Sequence, residues 1–263
     1  MNSHDIIIAN LLNDLKSQYH VSGIKIEFEA EGASLEEALI LKEFANTAGL
    51  NLTIKIGGCQ AIKDLFDAKS IGAKSVVAPM IESSYALEKF IQAINTVYSY
   101  KEQSSLNFYI NIETINGYNN LNEILQTDGM EILTGIVFGR TDMVYSLGLN
   151  KETVNSDIIL DYAKSINQKI KEYNLEFCIG GGITALSIPF LEQLKNLDKF
   201  ETRKIIFDAK SALQIKDIQK GIQKAIEFEI MWLKYKKELY CHLHRTSDEN
   251  RLKELELRYV DIL

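Results

Sequence analysis

The 263-residue chain is 46% hydrophobic and 25% charged, a composition of ordinary globular material rather than of a disordered or fibrous protein. Its 36 acidic residues against 29 Lys and Arg leave a formal charge of −7, which disfavours nucleic acid or an anionic membrane as the main partner. A single α/β barrel commonly takes about 250 residues, so one domain is expected rather than two small ones.

The first apolar run, Ile6–Ala9, is far too short for a bilayer span, and Asp5 stands where a signal peptide carries Lys or Arg. A cytoplasmic protein is expected. Strand-like runs then follow at Gly23–Glu29, Leu52–Gly57, Lys74–Pro79, Leu106–Glu113, Leu133–Gly139, Leu175–Gly180 and Lys204–Asp208. Helical patterns separate them, such as Leu35, Leu39 and Phe44 behind Ser34 as N-cap, or Leu121, Ile124 and Leu125. Strict alternation of strand and helix predicts a parallel sheet, open or closed. Within the strands Ile24, Ile26 and Phe28 alternate with Lys25, Glu27 and Glu29, and Phe108, Ile110 and Ile112 with Asn107, Tyr109, Asn111 and Glu113. One apolar face and one charged face fit a closed barrel with helices outside and a polar interior near its mouth. An antiparallel sheet with a solvated face is the alternative. The eighth strand is either near Ile6–Ala9 or missing.

Residues 1–213 are read as the barrel and 214–263 as C-terminal helices of the same domain. There Ile215, Ile218, Ile222, Ile226, Ile230 and Leu233 form an apolar stripe beside Trp232, and a second amphipathic helix runs through Leu252, Leu255 and Val260. Packing against another subunit of a homo-oligomer, or a simple C-terminal cap, are the two uses expected. Cys59, Cys178 and Cys241 are odd in number and far apart, with no Cys-x-x-Cys, so neither a disulfide framework nor a structural zinc site is expected. His242 and His244 diverge by about 200° on a helix, which makes them a poor metal pair.

Barrel chemistry sits at the C-terminal ends of the strands. Those ends read Glu29, Lys55, Pro79, Glu113, Asp142 just past Gly139, Gly180–Gly182 and Asp208. Glu113 and Asp142 are one βα unit apart, hence neighbours across the mouth. Two carboxylates with waters are what Mg²⁺ or Mn²⁺ takes from a protein when substrate oxygens complete the octahedron; N-capping of the next helix is the competing use of Asp142. Gly180-Gly181-Gly182 offers backbone N–H groups to an anion or is a plain tight turn. Glu201-Thr202-Arg203-Lys204 reads as the N-terminal, non-catalytic end of the last strand.

The stretches Asn111-Ile112-Glu113-Thr114, Asn120-Leu121-Asn122-Glu123-Ile124-Leu125 and Gly135-Ile136-Val137-Phe138-Gly139-Arg140-Thr141-Asp142-Met143 resemble the HpcH/HpaI aldolase and citrate lyase family, as does Gly72-Ala73-Lys74 through Pro79. The resemblance covers roughly residues 20–210. It implies a TIM (β/α)8-type barrel of the phosphoenolpyruvate/pyruvate kind and a metal-dependent carbon–carbon lyase or aldolase acting on a small 2-oxo acid and an aldehyde or acyl partner. In the family's pattern Glu113 and Asp142 hold Mg²⁺ or a similar ion, and the backbone at Thr141 and Asp142, beside Gly139, receives the substrate carboxylate. A divalent ion there acts as a Lewis acid on the keto oxygen and stabilises an enolate.

The chain departs from that pattern. Lys55 stands for the family's Arg, keeping charge but losing the bidentate fork, and Asn111 stands for its Gln. The expected catalytic His is replaced by Glu27-Phe28-Glu29-Ala30, so proton transfer falls to Glu29, Glu27, Lys55 or a metal-bound water. Arg140, where the family has Pro, is expected to read an acidic part of the substrate. Two other functions stay open: a citrate-lyase-like enzyme cleaving a CoA thioester, and a barrel that binds a metal-chelated ligand without turnover.

Overall fold

A computed structural model describes residues 3–239 and 246–258; Cys241, His242, His244 and Val260 lie outside the described residues. Eight strands close into a barrel in chain order. They are β1 (Val21–Glu27), β2 (Asn51–Lys55), β3 (Ser75–Ala78), β4 (Asn107–Ile112), β5 (Gly135–Gly139), β6 (Glu176–Gly180), β7 (Lys199–Glu201) and β8 (Ile205–Asp208). The helices are α1 (Ser3–Tyr19), α2 (Leu35–Ala48), α3 (Ile62–Ile71), α4 (Ser84–Val97), α5 (Tyr100–Gln103), α6 (Ile115–Asn119) and α7 (Leu121–Leu125). After β5 come α8 (Arg140–Ser146), α9 (Asp157–Ile170), α10 (Ile188–Glu192), α11 (Ala209–Ala212), α12 (Ile218–Leu239) and α13 (Thr246–Arg258).

The alternation in the strands does what its charge pattern demands. Ile24, Ile26, Leu52, Ile54, Ile110 and Ile136 are buried in the layer between barrel and helices. The opposite faces line the barrel interior, where Val77, Tyr109, Val137 and Cys178 form a small separate core. Below it Lys199 Nζ bonds Glu176 at 2.5 Å and Tyr109 at 2.6 Å, closing the floor with a satisfied polar group rather than an open pore. Ser34 caps α2 in a reciprocal box with Glu37, and Gly49 ends that helix at φ 62°, the left-handed conformation that favours glycine.

The missing strand is not near Ile6–Ala9, which lies inside α1, but at Lys199–Glu201. β6 and β7 pair in parallel, whereas β7 and β8 form an antiparallel hairpin, Glu201 opposite Ile206 and Lys199 opposite Asp208. Only Thr202–Lys204 connect them, too few residues for a crossover, so β8 must run backwards. It then closes the ring antiparallel to β1. The reversal inverts two expectations. Glu201, Thr202 and Arg203 stand at the mouth formed by the C-terminal ends of β1–β6, and Asp208 lies on the opposite face, where its backbone N–H donates to the His20 carbonyl and its side chain caps α11.

The C-terminal stripe is covered within the chain. Ile218, Ile222, Ile226, Ile230, Trp232 and Leu233 are all buried, and α12 packs on α1, with Gly221 so close to the Tyr19 ring that a Cβ there would come within 2.5 Å of it. The stripe therefore supplies no exposed apolar face for another subunit. α13 folds back across the barrel mouth. No helix among the described residues is long and apolar enough to cross a membrane.

Candidate active site

The mouth holds a cavity of about 290 Å³. Its inner wall is built from strand ends: Lys25, Glu27 and Glu29 from β1 and its loop, Lys55 from β2, Asn111 and Glu113 from β4, and Gly139, Thr141 and Asp142 from β5 and the first turn of α8. Glu113 is fixed on both oxygens. The Met80 backbone N–H donates to Oε1 at 3.0 Å, and Asn111 Nδ2 to Oε2 at 2.7 Å. Gly139 makes room for this carboxylate, since a Cβ there would fall 2.6 Å from Glu113 Oε2. Met80 adopts φ 50°, a left-handed backbone that a side chain rarely takes, and so turns its N–H toward the acid.

Asp142 lies beside Glu113. Burial first, then the like charge of Glu113, pushes the Asp142 carboxyl up to about 6 against the opposing pull of Lys55. Lys55 Nζ is 2.9 Å from Glu29 and 3.5 Å from Glu113. Burial works against its charge, yet Glu113 and Glu27 raise its pKa, so it stays an ammonium and is no base. Glu27 is likewise settled. Burial opposes ionisation, but Lys25 at 3.1 Å and Lys55 outweigh it and hold the carboxyl at about 2. Lys25 in turn bonds Glu201 at 2.5 Å. Of the residues expected to move a proton, Glu29 is the most open to the cavity, its side chain 26% exposed against 11% for Glu27 and 8% for Lys55. It is partly exposed to the cavity and carries a single cationic partner among the described residues.

Arg140 is placed differently from its expected role. It is 0% exposed and absent from the cavity wall. Its guanidinium donates to the carbonyls of Gly180 (3.2 Å), Gly181 (2.6 Å) and Val154 (3.3 Å) and to Asn155 Oδ1 (2.7 Å), with Phe190 stacked at 4.8 Å. Burial pulls its pKa down to about 9, which still leaves it charged at neutral pH. Arg140 clamps the glycine loop and is turned away from the cavity. That loop is tight for a reason: Gly181 has φ 79°, and a Cβ on it would lie 2.6 Å from the Thr141 amide nitrogen.

Residues that sequence reasoning left out of the site also line the cavity: Lys25, Glu201, Thr202, Arg203, Lys151, Glu229, Arg251, Leu255 and Arg258. The polar face of β1 already signals Lys25. Glu201, Thr202 and Arg203 depend on the reversed β8, and Arg251, Leu255 and Arg258 on the docking of α13, which no local pattern encodes.

The sequence profile of the HpcH/HpaI aldolase/citrate lyase family matches residues 37–177, more than half of the chain. The chain belongs to this family. Solved structures share its fold at low identity. An HpcH/HpaI aldolase from Desulfitobacterium hafniense DCB-2 is 13% identical with a TM-score of 0.59, over 86% of this chain and 89% of that one. An HpcH/HpaI aldolase/citrate lyase family protein from Burkholderia cenocepacia J2315 is 13% identical with a TM-score of 0.57, over 82% and 98%. The citrate synthase SbnG is 15% identical with a TM-score of 0.57, over 75% and 81%. A search of curated protein sequences returns no match. Membership brings this HpcH/HpaI protein a lyase-type function and points to divalent-metal dependence, for which the mouth can be tested.

The donor set fits a hard divalent cation. Glu113 and Asp142 form an adjacent carboxyl pair whose mutual repulsion a cation would relieve. Beside them Asn111 Oδ1 is buried without a hydrogen-bond partner among the described residues, an acceptor open to a donor or a metal. No group of three or more His, Cys, Asp or Glu side chains converges among the described residues, so further ligands fall to water and substrate.

Proposed function

We propose that this protein is a divalent-metal-dependent carbon–carbon lyase or aldolase acting on a small 2-oxo acid through its enolate. The observation that carries the reading is the Glu113–Asp142 pair, with Asp142 pushed up to about 6 at the mouth of the barrel. Glu113 and Asp142 hold the ion, Mg²⁺ or Mn²⁺. When bound, it supplies Lewis acidity to the keto oxygen, lowering the cost of negative charge there.

The chain's own residues do the rest. Lys55, a fixed ammonium, and the backbone at Thr141 bind the substrate carboxylate, and Asn111 faces the same pocket. Glu29 is the base. In the enolising direction its carboxylate takes a proton from C3, the C–H pair becomes the C2–C3 π bond, and the keto π electrons move onto oxygen. In cleavage Glu29 takes the proton of the C4 hydroxyl, the O–H pair becomes the carbonyl π bond of the leaving aldehyde, the C3–C4 pair becomes the C2–C3 π bond, and Glu29 then returns that proton to C3. Glu27, locked by Lys25, positions Lys25 and Lys55 rather than accepting the proton.

The test is exchange of pyruvate methyl protons in D₂O, followed by NMR with Mg²⁺ or Mn²⁺ present. Exchange is expected with metal and lost with EDTA. Glu113→Gln is expected to lose it by at least about a hundredfold. Glu29→Gln is expected to lose exchange while still binding Mn²⁺. An absence of exchange across several divalent metals counts against enolate chemistry, and unchanged Mn²⁺ affinity in Glu113→Gln assigns the pair to structure alone.

A further inference from the structure

The cavity has a second wall. It comes from the β7–β8 turn (Thr202, Arg203), from α12 (Ile226, Glu229) and from α13 (Arg251, Leu255, Arg258). All of these residues lie beyond the stretch 37–177 that matches the family.

The arginines of this wall pair with carboxylates, Arg251 with Glu229 and Arg203 with Glu31, but acids and bases are not equally available. The side chains of Glu229 and Glu31 are 2% and 6% exposed, whereas those of Arg203 and Arg258 are 34% and 45% exposed. The carboxylates sit behind and the guanidinium groups in front. Arg251 is fully engaged, with Nε and NH2 on Glu229 at 2.8 and 3.3 Å and NH1 on Glu254 at 3.1 Å; its task is to anchor α13. Arg203 makes one hydrogen bond, from Nε to Glu31 at 3.1 Å. Arg258 also makes one, from NH2 to Glu254 at 2.7 Å. Among the described residues the remaining donors of both forks are uncommitted. Each is held along one edge and offers the other.

We infer that this outer wall is the acceptor subsite of the proposed reaction, and that Arg203 and Arg258 bind an anionic group, carboxylate or phosphate, on the second substrate. The inference rests on the carbon–carbon lyase reading and deepens it. A three-carbon oxo acid held at the inner wall by Lys55 and Thr141 leaves the outer part of the 290 Å³ cavity to whatever extends from its reacting carbon, on the side of the arginines. A planar fork recognises two oxygens of a carboxylate or phosphate at once, and it does so most strongly where walls exclude water. Leu255 and Ile226, both buried, provide such walls. The acceptor is thus an aldehyde with a terminal anion rather than a neutral one.

Isothermal titration of the full-length protein with succinate and with inorganic phosphate, separately and at low salt, tests this without requiring turnover. At least one anion is expected to bind in the millimolar range or tighter. Arg203→Gln and Arg258→Gln are each expected to weaken it about tenfold, the loss of one charged hydrogen bond. Arg258→Lys, which keeps charge without the fork, is expected to recover only part. Stronger succinate binding assigns a carboxylated acceptor, and stronger phosphate binding a phosphorylated one. Binding of neither anion at tens of millimolar, or binding that both Gln variants leave intact, overturns the subsite. Anion binding without pyruvate exchange overturns the enolate reading instead, so the two fail separately.

Discussion

A carboxyl raised to about 6 binds its proton in competition with any cation, and Asp142 carries that competition into the neutral range. Its proton must leave before Glu113 and Asp142 can act as a full pair, so metal affinity should be level above pH 6 and fall about tenfold per pH unit below it. Mn²⁺ titrations followed by electron paramagnetic resonance at pH 5 and pH 7.5 read this directly; an affinity independent of pH would mean that Asp142 is not a ligand. Arg140 carries a different demand. With every donor group on a buried acceptor, Arg140→Lys strands at least two carbonyls of the glycine loop. A loss of about 2–4 kcal/mol in urea unfolding is expected. Sequence reasoning reached Glu113, Asp142, Asn111, Lys55 and Glu29 because a strand's end and its alternation fix both position and direction. It misplaced Arg140 because a residue opening a helix after a strand can turn its side chain either into the mouth or beneath the next loop, and only the neighbouring carbonyls of Gly180 and Gly181 decide which.

Among the elements, α13 is fastened mainly by charge. Arg251 meets Glu229, Lys151 meets Glu254 at 2.7 Å, and Lys236 meets Asp248 at 2.6 Å, with Leu255, 2% exposed, as the fully buried apolar anchor. Exposed pairs such as Lys151–Glu254 contribute little individually, so docking depends on Leu255 and on the buried Glu229. Leu255→Ala should weaken the attachment by about 3 kcal/mol. Hydrogen exchange in residues 246–258 should then accelerate while the barrel strands keep their protection. Equal acceleration throughout would mean that α13 is integral to the barrel rather than a separately docked cover. The β7–β8 hairpin shows why a strand escaped notice: Lys199–Glu201 spans three residues, too few to display a period. The Thr202-Arg203-Lys204 connection also lacks the Asn-Gly or Asp-Gly pair that announces a tight hairpin.

For the molecule as a whole, the alternating charges of β1 and β4 carried the architecture. A residue such as Lys25 or Asn111 on every second position has no place in a parallel sheet buried on both faces, and a closed ring with a wet upper interior resolves the conflict. What local pattern could not carry was direction. The chain's seventh crossover is absent, and the ring closes through partners far apart in sequence, Gly23 with Ile206 and Ile24 with Ile205. During synthesis this spacing imposes an order. Six strands are synthesised before residues 199–208 exist, and until those residues are in place the sheet has bare edges, the kind that recruit other strands. The unfinished sheet therefore needs shelter until β8 has emerged, and a premature stop just short of β8 yields a sticky open ribbon instead of a closed barrel.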